Sequence, residues 1–145
     1  MSPRGAVGRA VALGPRVWLQ LLRAVAELAL ARLRLSARGT EALRGGGQGN
    51  SPAELSPDQS ALADRVAFAI PRAAARVPWR ATCLVQALAA QRWLARMGVA
   101  SELRLGARKS AGDGLDAHAW LKAGDHIVVG GDLEGYQPFR PSRRD

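Results

Sequence analysis

The run Thr82-Cys83-Leu84-Val85-Gln86-Ala87-Leu88-Ala89-Ala90-Gln91-Arg92-Trp93-Leu94-Ala95-Arg96-Met97-Gly98-Val99-Ala100-Ser101-Glu102-Leu103-Arg104-Leu105 changes its period once, at Gly98. Before that glycine, Leu84, Leu88, Leu94 and Met97 give a helix from Cys83 to Met97 its core candidates. Thr82 is placed to cap its free N–H groups, and Gly98 to close its C-terminus. After the glycine, Val99, Ser101, Leu103 and Leu105 alternate with Ala100, Glu102 and Arg104, which is the period of a strand.

Downstream, Gly106 to Gly114 reads as a polar loop and Asp116 to Lys122 as a second strand. Ala123-Gly124-Asp125 then makes a tight turn into a third strand from His126 to Gly131. Upstream, Ser56, Pro57 and Gln59 form a capping-box start for a helix carrying Leu62, Val66, Phe68, Ala69 and Ile70. Pro71 is expected to kink that helix or to open a second short one. Helices followed by strands, with few signs of parallel pairing, predict an α+β domain with an antiparallel sheet.

The longest helical pattern is Val11 to Leu35. Arg16, Gln20, Arg23, Glu27 and Arg34 mark a polar stripe, and Val17, Trp18, Leu21, Leu22, Val25, Leu28 and Leu30 an apolar face. Gly45-Gly46-Gly47-Gln48-Gly49-Asn50-Ser51-Pro52 interrupts the pattern. The expected organisation is an N-terminal helical segment over 1–44, a flexible linker over 45–55 and the main domain over 56–145. Gly45 to Gly49 lacks the flanking strand and helix of a phosphate loop.

The chain has 145 residues and a formal net charge of +9; 19 of its 21 basic residues are arginine. That charge permits anionic partners without specifying nucleic acid, because no basic cluster is flanked by aromatic residues. A single cysteine excludes an internal disulfide framework and suits a reducing cytoplasm. Two histidines and scattered acids are a thin supply of metal ligands, so no cofactor is expected. Arg16, Arg23, Glu27, Arg32 and Arg34 break every apolar window long enough to span a membrane.

Chemistry concentrates at Cys83, His118 and Asp132. A cysteine in the first turn of a helix faces unpaired backbone N–H groups, which favour a thiolate and can face an oxyanion. With a three-residue turn at 123–125, position 118 falls opposite 130 and position 132 lies one same-face step away. His118 can then serve as base, oriented by Asp132. Asp116, on the same face as His118, is a rival acid, and His126, beside the turn, a rival base. A cysteine, a histidine and an aspartate this far apart are equally compatible with a small core thiol and with surface residues.

Pro78-Trp79-Arg80-Ala81-Thr82-Cys83-Leu84, with Leu88, Leu94, Gly98 and Glu102-Leu103-Arg104-Leu105-Gly106, resembles the B2 leader peptidases of lasso-peptide biosynthesis. So do Ala117-His118-Ala119-Trp120-Leu121, Val128-Val129-Gly130-Gly131-Asp132, Tyr136 and Phe139. The likeness runs from about Ser56 to Phe139. It implies a transglutaminase-like, papain-related fold, with Cys83 as nucleophile, His118 as base and Asp132 as the orienting acid. It also implies removal of the leader from a ribosomally made precursor peptide, with a separate leader-recognition protein and an asparagine-synthetase-like cyclase as partners. Residues 1–44 read as helix and not as the strand-rich recognition module, so the partner is expected in trans. Trp79, Arg80, Trp120 and Trp18 are the candidate substrate or partner contacts. No glutamine precedes Cys83 as an oxyanion donor; Gln86 and Gln91 follow it, leaving the Cys83 backbone N–H. The competing readings are an acyltransferase using the same thiol and a non-catalytic peptide- or protein-binding module.

Overall fold

The computed structural model describes residues 14–39, 41, 54–131 and 137–138. Among them are three helices, α1 (Pro15–Arg38), α2 (Pro57–Ala74) and α3 (Cys83–Arg96). Four strands follow: β1 (Glu102–Lys109), β2 (Leu115–Ala123), β3 (His126–Val129) and the two-residue β4 (Gln137–Pro138). The sheet order is β3-β2-β1-β4, and every pairing is antiparallel. This is the α+β arrangement expected from the order of the sequence patterns. The expected linker over 45–55 lies almost wholly outside the described residues.

Local chemistry sets the helix ends. At α2 the full capping box forms: Ser56 Oγ accepts from the Gln59 N–H at 3.2 Å, and Gln59 Oε1 accepts from the Ser56 N–H at 3.0 Å. Pro71 is accommodated inside α2, three residues before its end. At α3, Thr82 Oγ1 accepts from the Val85 N–H at 3.3 Å, and Gly98 leaves the helix at φ +78°.

α3 is the central element, packed against α1, α2 and all of β1, β2 and β3. Val85, Leu88, Trp93 and Leu94 join Val66 and Ile70 of α2 and Ala119, Leu121 and Ala123 of β2 in one core. α1 contributes Ala24, Leu28 and Ala31 to the same core.

The packed face of α1 differs from the one its pattern suggests. Glu27, expected on the polar stripe, is 3% exposed, whereas Leu22 is 61% exposed. Ala24 and Ala31 allow close approach to α2 and α3, and Arg92 of α3 draws Glu27 inward, Nε to Oε2 at 3.0 Å. Close packing by small residues together with one ion pair outweighs the larger apolar count on the other side.

The strands also depart from expectation. β1 begins at Glu102 and continues to Lys109, through what reads as the start of a loop. The β2–β3 turn is Gly124-Asp125, closed by Ala123 opposite His126. A bulge then moves the pairing from Lys122↔Ile127 to Leu121↔Val129, so the simple register that set 118 opposite 130 does not hold.

Candidate active site

Cys83 is the first residue of α3 and is half-buried against the edge of the core. The helix itself offers no acceptor to the N–H groups of Cys83 and Leu84, since the first intrahelical bond runs from the Gln86 N–H to Thr82 O at 3.0 Å. Those two donors sit at the positive end of the α3 dipole, where they can face a developing oxyanion.

Two side chains hold the segment leading into Cys83. The Gln86 amide donates through Nε2 to Ala81 O at 3.1 Å. Arg32 of α1 donates through Nη1 to Arg80 O at 3.2 Å. Gln86 is thereby spent on its own loop and is not aimed at a substrate carbonyl. Neither tie has a signature in the sequence, because each joins an ordinary polar side chain to a backbone carbonyl. Trp79 packs on the core beside this segment, and its buried indole N–H finds no acceptor among the described residues. Gln91, by contrast, is buried within α3.

His118 lies on β2 where that strand passes from exposed residues to buried ones. Its Nε2 is 3.2 Å from Gly130 O. A carbonyl only accepts, so Nε2 carries the proton and in the neutral ring the lone pair is left at Nδ1. The ring stacks on Trp120, with centroids 6.2 Å apart and planes inclined by 26°. Trp120 is itself buried, its indole lying across Gly106 and its Cβ against Gly130. A Cβ at Gly130 would sit 2.7 Å from Ala119 O, and its φ is +82°, so this close approach requires glycine.

The elements bearing Cys83 and His118 are packed on each other. Only residues 97–101 separate α3 from β1, so β1 runs back along the helix and β2 forward again. α3 is about 21 Å long and β1 about 27 Å. His118 pairs with Gly106, the fifth of the eight β1 residues, and so stands part-way along β1 and not at its far end. Strand alternation sends Ala119, Leu121 and Ala123 into the core under the helices and His118 and Trp120 to the other face. Asp116 shares the His118 face but pairs with Arg108 directly across the strand, Oδ2 to Nε at 3.6 Å. His126 is exposed at the start of β3, with Nε2 3.3 Å from Ser60 Oγ of α2. Trp18 is partly exposed on α1, and Arg80 is exposed. Asp132, Tyr136 and Phe139 lie outside the described residues.

Among the described residues no three His, Cys, Asp or Glu side chains group as metal ligands, and no helix is long and apolar enough to cross a membrane. The sequence profile of the transglutaminase-like superfamily matches residues 18–144. No curated protein and no solved structure matches the chain.

Proposed function

The chain belongs to the transglutaminase-like superfamily, and on that premise we propose that it is a cysteine peptidase that removes the leader from a ribosomally made lasso-peptide precursor. What supports the chemistry is Cys83 at the head of α3, beside two backbone N–H groups with no helical acceptor, in a chain whose family match spans both Cys83 and His118. That the His118 imidazole, on the Trp120 face of the sheet, reaches the sulfur is part of the proposal. The leader-peptidase assignment rests on the Cys83 and His118 motifs and their order in a short chain. The proposed setting is the cytoplasm, with a leader-recognition protein supplied in trans.

In the proposed reaction the Cys83 thiolate attacks the scissile carbonyl carbon, and the resulting oxyanion takes the N–H donors at the head of α3. Collapse breaks the C–N bond, and the proton held by His118 passes to the departing amine. Water, deprotonated by His118, then attacks the thioester and releases a carboxylic acid, returning the sulfur to its starting state. Asp132 is the proposed orienting acid: it would share the Nε2–H with the Gly130 carbonyl, which leaves Nδ1 as the nitrogen that faces the sulfur. It follows Gly131 directly, two residues past the carbonyl that already holds the ring, while Asp116 is engaged by Arg108.

The test incubates purified chain, precursor peptide and leader-recognition protein and reads product masses. Hydrolysis gives two fragments whose masses sum to precursor plus one water; a crosslinked product would identify an acyltransferase. Cys83→Ala should abolish cleavage with the circular dichroism spectrum unchanged. The thiol–imidazole partnership is read separately: at neutral pH, iodoacetamide should alkylate Cys83 at least tenfold faster in the wild type than in His118→Ala. Equal alkylation rates would remove His118 from the mechanism.

A further inference from the structure

The face of α1 turned away from the core carries a straight apolar seam: Pro15, Leu19, Leu22, Ala26, Leu30, Leu33 and Ala37. Successive steps of four, three, four, four, three and four residues keep all seven within about 80° of arc over about 33 Å of helix. Leu19, Leu22 and Leu33 are each more than 60% exposed, and Leu30 is 37% exposed. Large aliphatic side chains in such a row are not incidental surface residues. The core of the domain has no claim on them, since α1 buries Ala24, Glu27, Leu28 and Ala31 on its opposite side.

Charge decides what fits the seam. Along one edge runs a row of arginines, Arg16, Arg23 and Arg34, at steps of seven and eleven residues. The only acid of the helix, Glu27, is buried and paired with Arg92 and Arg23, so it offers nothing to a visitor. A second copy of α1 placed antiparallel on the seam would set arginine row against arginine row. Placed parallel, it would set each row against the opposite edge, where Ala29, Arg32 and Ser36 supply no acid. Anionic lipid is also a poorer match, because a helix lying in a membrane surface draws on basic residues along both edges of its apolar face, and the arginine of the far edge, Arg32, is bonded to the Arg80 carbonyl. We propose that the exposed seam of α1 is the docking surface for an acidic amphipathic helix of a separate protein, its leucines on the seam and its Glu or Asp side chains on Arg16 and Arg34, Arg23 between them being turned toward Glu27 and the Trp93 ring. This surface does not depend on the chemistry assigned to Cys83. It does abut the site's support, because Arg32, on the far edge of the seam, holds the Arg80 carbonyl in the segment before Cys83.

The test uses the full chain and two fluorescent 24-residue synthetic helices with leucines at the same spacing, one with a glutamate row beside them and one with a lysine row. Anisotropy should show saturable binding of the glutamate helix, with the lysine helix at least tenfold weaker. An Arg16→Glu, Arg34→Glu chain should reverse that preference. A Leu19→Ser, Leu22→Ser, Leu33→Ser chain should bind neither helix while keeping the wild-type melting temperature, since all three side chains are exposed. Equal affinity for both helices, or binding of neither by the wild type, would overturn the proposal. So would preferential co-sedimentation with phosphatidylglycerol vesicles, or self-association of the chain that the serine substitutions abolish.

Discussion

The His118 imidazole is held through Nε2 by the carbonyl of Gly130, at 3.2 Å, from a backbone position only glycine can occupy. The ring nitrogen that carries the proton is thus set by a main-chain atom that cannot titrate. This predicts that neutral His118 populates the Nε2–H tautomer almost exclusively, read from the two ring ¹⁵N shifts. Comparable populations of both tautomers would contradict it. Gly130→Ala should cost roughly 3 kcal/mol in denaturant unfolding, because its Cβ must enter the space of Ala119 O and Trp120 at a left-handed φ. Gly131, around which a Cβ meets open space, should accept alanine far more readily.

Glu27 and Arg92 form a pair of which the acid side chain is 4% exposed and the base 19%. Removing one member leaves the other charged and largely desolvated, so Glu27→Leu and Arg92→Leu should each destabilise by about 3 kcal/mol. The double substitution should recover much of that loss, because two apolar side chains can share the space without a desolvation penalty. Urea melts of the three chains form a double-mutant cycle with an expected coupling above about 1 kcal/mol. Additive effects would mean that the pair does not hold α1 on α3.

The helix ends were legible in the sequence. The Ser56 capping box, the Thr82 cap and the Gly98 stop are settled by residues within one helical turn, and each stands where the pattern put it. The antiparallel sheet followed from alternation and from a short turn. The orientation of α1 did not, because apolar residues line both of its sides. Only the partners across the interface, above all Arg92, select the face with Ala24 and Ala31. At the site, Cys83 at a helix head and His118 on a strand were readable, whereas the Gly130 carbonyl reaches His118 only after a bulge that no local signal announces. The ties from Gln86 and Arg32 were likewise out of reach, one being set by loop geometry and the other spanning 48 residues.

Thr82 links helix stability to the position of the proposed nucleophile. Its Oγ1 satisfies the Val85 N–H, and its neighbour Cys83 opens the helix. Thr82→Ala should cost about 1 kcal/mol of unfolding free energy. It should also slow Cys83 alkylation by iodoacetamide, since a frayed first turn no longer presents its N–H groups to the sulfur. Thr82→Ser retains the capping oxygen and should restore both properties. If alanine lowers stability with no change in alkylation rate, the first turn of α3 does not tune the thiol.

Arg32 offers the sharpest separation of positioning from folding. Its guanidinium reaches from α1 to the Arg80 carbonyl across exposed surface, and a bond of that kind contributes little to global stability. Arg32→Gln should therefore leave the melting temperature within about 2 °C of the wild type. Local order is a different matter: the bond restrains the segment from Val77 to Ala81, and its loss should speed amide hydrogen exchange there severalfold while exchange in β2 is unchanged. If Cys83 is the nucleophile, kcat should fall with KM little altered, because the loop sets where the sulfur sits and not how the leader is held. Arg32→Lys, which keeps a donor on a shorter and unforked side chain, should recover part of the rate. Unchanged exchange in 77–81 after Arg32→Gln would mean that α1 merely covers the core and has no hold on the segment before Cys83.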